Sequence, residues 1–229
     1  MNKYLYDGKQ LYEDTLAFVQ DVTDKLVIMH VDTYDIAQGS RDKSDPKTKI
    51  AEDILKKWHT DDSQDYENVD EKLMKGLNER FVAYTGMVGE SQLKWIDQKL
   101  TEFDESGQMV IMCSHSQMHP LANDCINYRN CSLTWNWEEV LSTIHNHKCV
   151  ILYAAGHAHS GGYVKDDKGV HHLLPKAILE NAGSIYDGSG NTFGYLHFYE
   201  EFMELEVLGV SSDSWSSRKM EYPFGLKLK

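Results

Sequence analysis

"CVILYAAGHAHSGGY" (residues 149–163) decides how the rest of the chain is read. It begins as an unbroken apolar run and ends in a glycine-rich turn that holds His157 and His159. A short apolar run without polar alternation fits a strand covered on both faces, the setting of a parallel sheet. "QMVIMCSH" (108–115) has the same form and also ends in a histidine. Before it, "GESQLKWIDQKLTEF" (89–103) spaces Leu93, Ile96, Leu100 and Phe103 along one helix face. Between the two runs, "NWEEVLSTIHNH" (136–147) offers a capping box at Asn136 and Glu139, with Trp137, Val140, Leu141 and Ile144 inward. Helix, strand, helix, strand predicts parallel strands joined by crossovers, an α/β protein.

Upstream, "KLVIMHVDTYD" (25–35) starts as a β-branched run and predicts another buried strand. "SDPKTKIAEDILKKW" (44–58) sets Ser44 and Asp45 before Pro46, a helix start, with Ile50, Ile54, Leu55 and Trp58 as one apolar face. Residues 59–71 are acidic and aperiodic and predict a solvated excursion inside one domain. After His172 the pattern turns to strands at 171–179, 191–200 and 202–210, the last two forming a hairpin across Glu200 and Glu201. Residues 211–229 read as a polar tail.

At 229 residues and 41% hydrophobic content, the chain suits one large domain with its own core. A net charge of −13 argues against broad binding to nucleic acid or anionic membranes, which takes basic patches. The N-terminus has no continuous apolar core of a secretory signal, and no stretch approaches the roughly 18 apolar residues of a membrane span. Cys113, Cys125, Cys131 and Cys149 show no CxxC spacing, and Cys113 and Cys149 lie in apolar runs. A reducing, cytoplasmic protein is the expectation. No glycine-rich phosphate loop with lysine is present, which excludes a P-loop kinase or ATPase.

In an open α/β sheet, ligands bind beyond the carboxyl ends of the parallel strands. Both runs deliver histidine there, so His115, His157 and His159 become three candidate nitrogen ligands for zinc, manganese or iron. Gly156, Gly161 and Gly162 let that loop turn sharply. The blander alternative is a set of structural histidines with satisfied hydrogen bonds. His145 and His147 sit at a helix C-terminus and point in different directions, which argues against ligation. His171 and His172 are adjacent on a strand and face opposite ways. His119 either supports the site or stiffens its loop with Pro120.

The ordered set "VDTYDI", "GESQLKWIDQKL", "SHSQMHP", "CSLTWNWEEVL", "GHAHSGGY", "GVHHL" and "FGYLHFYEEFMEL" resembles calcineurin-like metallophosphoesterases. The closer resemblance is to the manganese-dependent ADP-ribose/CDP-alcohol diphosphatases, over about residues 25–209. It implies a metallophosphoesterase-type sandwich of mixed β-sheets flanked by helices, and a two-metal hydrolase cleaving the pyrophosphate bond of ADP-ribose or CDP-alcohol-type nucleotides. Carried over, His115 and His157 would ligate one Mn2+ and His159 the other. Cys131, Trp135, Asn136 and Tyr163 become candidates for contact with the small nucleotide substrate, although Trp135 also fits a core cap and Asn136 a helix cap.

The family's Asp-x-His, Gly-Asp-x-x-Asp and Gly-Asn-His-Glu/Asp motifs are not found in this sequence. The resemblance places them before the stretch matching "LVIMHVDTYDI", so the expectation is an incomplete domain lacking its first strands, with at most one metal and little or no activity alone. Another chain covering an exposed sheet edge is one alternative, which makes the protein a non-catalytic or partner-completed remnant. A mononuclear site of three histidines, with His30 or Asp32 pointing inward as a base, is the other.

Overall fold

The computed structural model describes residues 15–60, 66–70, 72–123, 130–177, 192–209 and 211–228. The elements are β1 (Phe18–Asp21), β2 (Leu26–His30), α1 (Pro46–Leu55), α2 (Glu90–Ser106), β3 (Met109–Ser114) and α3 (Trp137–His145). They continue with β4 (Val150–Ala155), β5 (Gly162–Lys165), β6 (His171–Leu174), β7 (Thr192–Phe198), β8 (Phe202–Gly209) and β9 (Arg218–Glu221). A six-stranded sheet runs in the order β1-β2-β3-β4-β6-β5. Its four central strands are parallel and its two edge strands antiparallel. The second sheet is the antiparallel meander β7-β8-β9.

Both expected parallel strands are therefore present, and their alternation builds two cores. Val110, Met112 and Val150 pack against Ile96 and Leu100 of α2 and Val140 and Ile144 of α3. Met109, Ile111 and Ile151 point the other way, onto Met203, Leu205 and Met220 of the second sheet. This is the two-period of a strand read on both faces, and it makes a helix–sheet–sheet sandwich. Each core side chain removed from water contributes on the order of 1.5–3 kcal/mol.

The structure differs from the sequence reading in several places. The strand expected to run to Asp35 stops at His30. There the Asp32 carboxylate accepts the Tyr34 N–H at 2.9 Å and closes a turn. In α1, Asp45 caps as expected, accepting from Lys47 N at 2.8 Å. The buried face, however, is Thr48, Ala51 and Leu55, and Ile50 is 47% exposed. Asn136 makes no side-chain cap on α3. Its amide is instead held by both backbone groups of Val88, at 3.0 and 2.9 Å, and by Glu139.

The polar tail contributes β9, whose Met220 is buried together with Trp215 and Tyr222. β1 and β5 were also unforeseen, being four-residue edge strands with little apolar signal. The strand expected over 171–179 ends at Leu174, before Pro175, which has no N–H to donate. Residues 178–191 lie outside the described residues, as do residues 1–14, Cys125 and part of the acidic excursion. Within that excursion Tyr66 is buried against Trp135 and Leu55 rather than solvated. The hairpin across Glu200 and Glu201 is as expected, Tyr199 N bonding Phe202 O at 2.9 Å.

Candidate metal centre

β3 and β4 end in register, Ser114 beside Ala155, so the chain leaves both at one rim of the sheet. Gly156 N donates to His115 O at 2.9 Å and Ala158 N to Gly156 O at 2.7 Å, drawing the two exit loops together. His157 takes a left-handed backbone with φ 65°. Such conformations cost about 1–3 kcal/mol for a residue with a Cβ and persist where the surroundings impose them, commonly at functional sites. The outcome is an imidazole pair, with His115 Nε2 and His157 Nδ1 2.9 Å apart and the rings tilted by 59°.

Electrostatics keep that pair neutral. Burial first, then the neighbouring His115 and His159 rings, push the His157 pKa down to about 4. Burial and His159 lower His115 as well. Neutral imidazole is the form that ligates metal, so both rings are ready to bind at pH 7. Two converging neutral nitrogens fit a divalent transition ion. Manganese also takes oxygen donors, and among the described residues no carboxylate closes with both rings as a compact donor group.

Tyr34 and Tyr84 flank the pair, their rings 5.7 Å from His115 and 5.6 Å from His157. Tyr34 donates its hydroxyl to Tyr84 O at 2.7 Å. Sequence reasoning missed both tyrosines. Tyr34 lay inside a run read as strand, and Tyr84 sits in an aperiodic loop that carries no local signal. Beside the rings opens a cavity of about 450 Å³ whose walls include His157, His159, Lys176, Phe193 and Trp215. Ala177 N donates to His159 O at 2.9 Å, tying the segment after β6 to this wall.

The remaining candidates are spent elsewhere. His30 bonds Leu16 O at 2.9 Å and stacks on Phe18, and Asp32 accepts from Leu16 N and Tyr34 N. Neither supplies a base beside the imidazoles. Trp135 is buried with its Nε1 on Thr85 Oγ1 at 2.7 Å, as a core cap would be. Asn136 clamps Val88 as described, and Cys131 is buried. Tyr163 packs into the core between the sheets, bonds His171 at 2.7 Å and carries the Arg218 guanidinium over its ring.

His145 and His147 diverge, the first to Asp166 and the second to Asp97 and Asp104. His145, Asp166 and Asp167 form the one compact donor group among the described residues. Asp166 is nevertheless full: Oδ2 accepts from His145 and His172, each at 2.9 Å, and Oδ1 from Lys168 N and Val170 N.

No protein-family model matches the sequence. The chain is similar to manganese-dependent ADP-ribose/CDP-alcohol diphosphatases. It is 35% identical to that of Xenopus tropicalis over 190 residues, 82% of this chain and 51% of the relative. It is 31% identical to that of Homo sapiens, over 85% of this chain and 52% of the relative. The Arabidopsis thaliana relative is 34% identical, over 85% of this chain and 57% of its own length. The chain thus spans about half the length of the curated relatives it matches. Among solved structures it matches a dimetal phosphatase from Danio rerio with a TM-score of 0.78 and 28% identity, covering 91% of this chain and 61% of that one. Among the described residues no helix is long and apolar enough to cross a membrane.

Proposed function

Because this chain is homologous over most of its length to manganese-dependent ADP-ribose/CDP-alcohol diphosphatases and has the fold of a dimetal phosphatase, we propose that it is a metallophosphoesterase chain acting on pyrophosphate bonds of ADP-ribose or CDP-alcohol-type nucleotides. The observation that supports this best is the 2.9 Å approach of His115 and His157 at the ends of two parallel strands. In this reading His115 and His157 hold one divalent ion, manganese, and His159 serves a second position. Such ions, when bound, polarise a phosphoryl oxygen and make a nucleophile of water.

The chain's own residues have narrower tasks. The two imidazoles present neutral lone pairs, and Tyr34 and Tyr84 fix the rings from outside. The Gly156–Gly162 loop holds His157 and His159 against the cavity. Trp135, Asn136 and Cys131 shape the loop behind the site from inside the protein, and Tyr163 anchors β5. The half-buried thiol of Cys113 and the buried thiol of Cys149, both with pKa pushed up by burial, suit a reducing compartment such as the cytoplasm.

A second reading rests on the donor set. Three imidazoles with no carboxylate beside them among the described residues hold manganese weakly, and on this reading the 229-residue chain works slowly by itself and gains activity from carboxylates supplied by another chain. Incubation of the purified chain with ADP-ribose and manganese, followed by measurement of AMP release, tests both. Slow release, abolished by a chelator and by His157→Ala, is expected. No AMP at millimolar manganese contradicts the hydrolase reading and leaves the metal-binding one to be judged by titration.

A further inference from the structure

The antiparallel sheet β7-β8-β9 has one face that closes the second core and one turned to solvent. Strand alternation sorts the side chains between them. Leu196 and Phe198 of β7, Met203 and Leu205 of β8 and Met220 of β9 point inward. The opposite face therefore carries Phe193, Tyr195 and His197, with Leu208, Glu206 and Glu204 directly across from them on β8. Glu221 and Lys219 of β9 follow, across from Phe202 and Glu204. Three large rings lie open on this side: Phe193 is 48% exposed, Tyr195 54% and Tyr199 44%.

The rings form a row. Phe193 meets Tyr195 edge-on with centroids 5.8 Å apart, and Tyr195 lies 6.3 Å from His197. An extended chain presents its own alternate side chains at a similar step, roughly 6.7 Å. At the hairpin end Tyr199 stacks on Phe202 at 4.6 Å, and the Lys219 ammonium stands 3.9 Å from the centre of the Phe202 ring. This face thus already holds one cation over an aromatic ring. Contiguous exposed apolar side chains mark interaction surfaces, and tyrosine is among the residues that carry most of the energy there.

Charge decides the occupant. The face sets three carboxylates, Glu204, Glu206 and Glu221, against the single ammonium of Lys219, and Glu206 meets only His197, at 2.9 Å. A second copy of a chain of net charge −13 would bring the same carboxylates against them, and an acidic partner would be repelled as well. A guanidinium or ammonium gains twice, from the face of a ring and from the carboxylate beside it. We propose that the outer face of β7-β8-β9 docks an extended, arginine- or lysine-rich segment of a partner protein, its cations seated over the row of rings with Glu204 and Glu206 alongside.

The test is fluorescence anisotropy of a labelled octapeptide of alternating arginine and serine, titrated with the full chain, with a glutamate–serine octapeptide as control. The basic peptide binds and the acidic one does not. Tyr195→Ala, which keeps the net charge at −13, weakens the basic peptide roughly tenfold, the scale of one cation–ring contact. Glu206→Gln weakens it about threefold, whereas Asp53→Asn, the same charge change on exposed α1, leaves it unchanged. All three variants melt as the wild type does. If the Tyr195→Ala chain binds the basic peptide as tightly as the wild type, net charge alone attracts it and the docking face is overturned. Failure of the wild type to bind overturns it too, as does sedimentation showing a dimer of the wild type that Tyr195→Ala dissociates, which would give the face to a second copy.

Discussion

Imidazoles come together at two places in this molecule, with opposite chemical outcomes. At the rim of β3 and β4, His115 and His157 face each other with burial first, and then their neighbours, holding them neutral, and among the described residues no carboxylate closes with both. Beneath the β5–β6 hairpin, His145 and His172 converge on Asp166, whose two oxygens accept four hydrogen bonds. Although burial raises its pKa, the bonds from His172 and His145 hold the Asp166 carboxyl well below the usual carboxylate range. The second cluster contains the better-looking ligand set, since it has both nitrogen and oxygen donors. It is nevertheless closed, because every acceptor position of the carboxylate is filled. Proximity of donors does not make a metal site; unspent donor capacity does.

The largest effect should follow from opening the closed cluster. Asp166→Ala strands the buried His172 imidazole and the Val170 N–H and also takes the partner of half-buried His145, and a loss of about 3 kcal/mol in urea unfolding is expected. A loss under about 1 kcal/mol, the value of one ordinary hydrogen bond, would erase the contrast between the clusters.

Acid should then act on the same region. Burial, then the neighbouring His172, pushes the His119 pKa down to about 4, and burial lowers His172 too. The fold keeps both rings neutral while unfolded histidine takes its proton near 6.5, so the unfolded chain binds more protons between those values. Stability is therefore full above about pH 6.5 and falls as pH drops through about 4. Melting temperatures across pH 7.5 to 4.5 check this, and His119→Phe should flatten the slope. A melting point that rises on acidification would contradict the neutral assignment.

The smallest effect has the opposite sign. His157→Gly relieves a left-handed residue and should raise stability by up to about 1 kcal/mol while it removes manganese binding. Destabilisation by that substitution would mean that the ring stabilises the loop, as His172 does its own surroundings.

How much of this was legible in the sequence follows from the range of each signal. β3, β4, α2 and α3 are written as local apolar periodicity, and the histidines that end β3 and β4 could be placed at one rim from strand direction alone. The face of α1 was misread because Ile50 is large and apolar yet exposed, while the core accepts the smaller Thr48 and Ala51. β9 was hidden because its buried residue, Met220, is flanked by charged ones and its partner β8 had to be known first. Asn136 matched a capping box, but its amide is claimed by Val88, 48 residues away, and no local pattern announces a bond across that distance. Tyr34 and Tyr84 reach the imidazole pair from two different segments. Their convergence is a property of topology, which periodicity does not encode.

The central claim, that the open pair and not the closed cluster holds metal, is tested most directly by titrating manganese calorimetrically into three chains: wild type, His157→Ala and His145→Gln. Binding in the wild type and in His145→Gln, with loss in His157→Ala, is the predicted result. Binding that survives in His157→Ala and disappears in His145→Gln would place the ion at Asp166 and contradict the account.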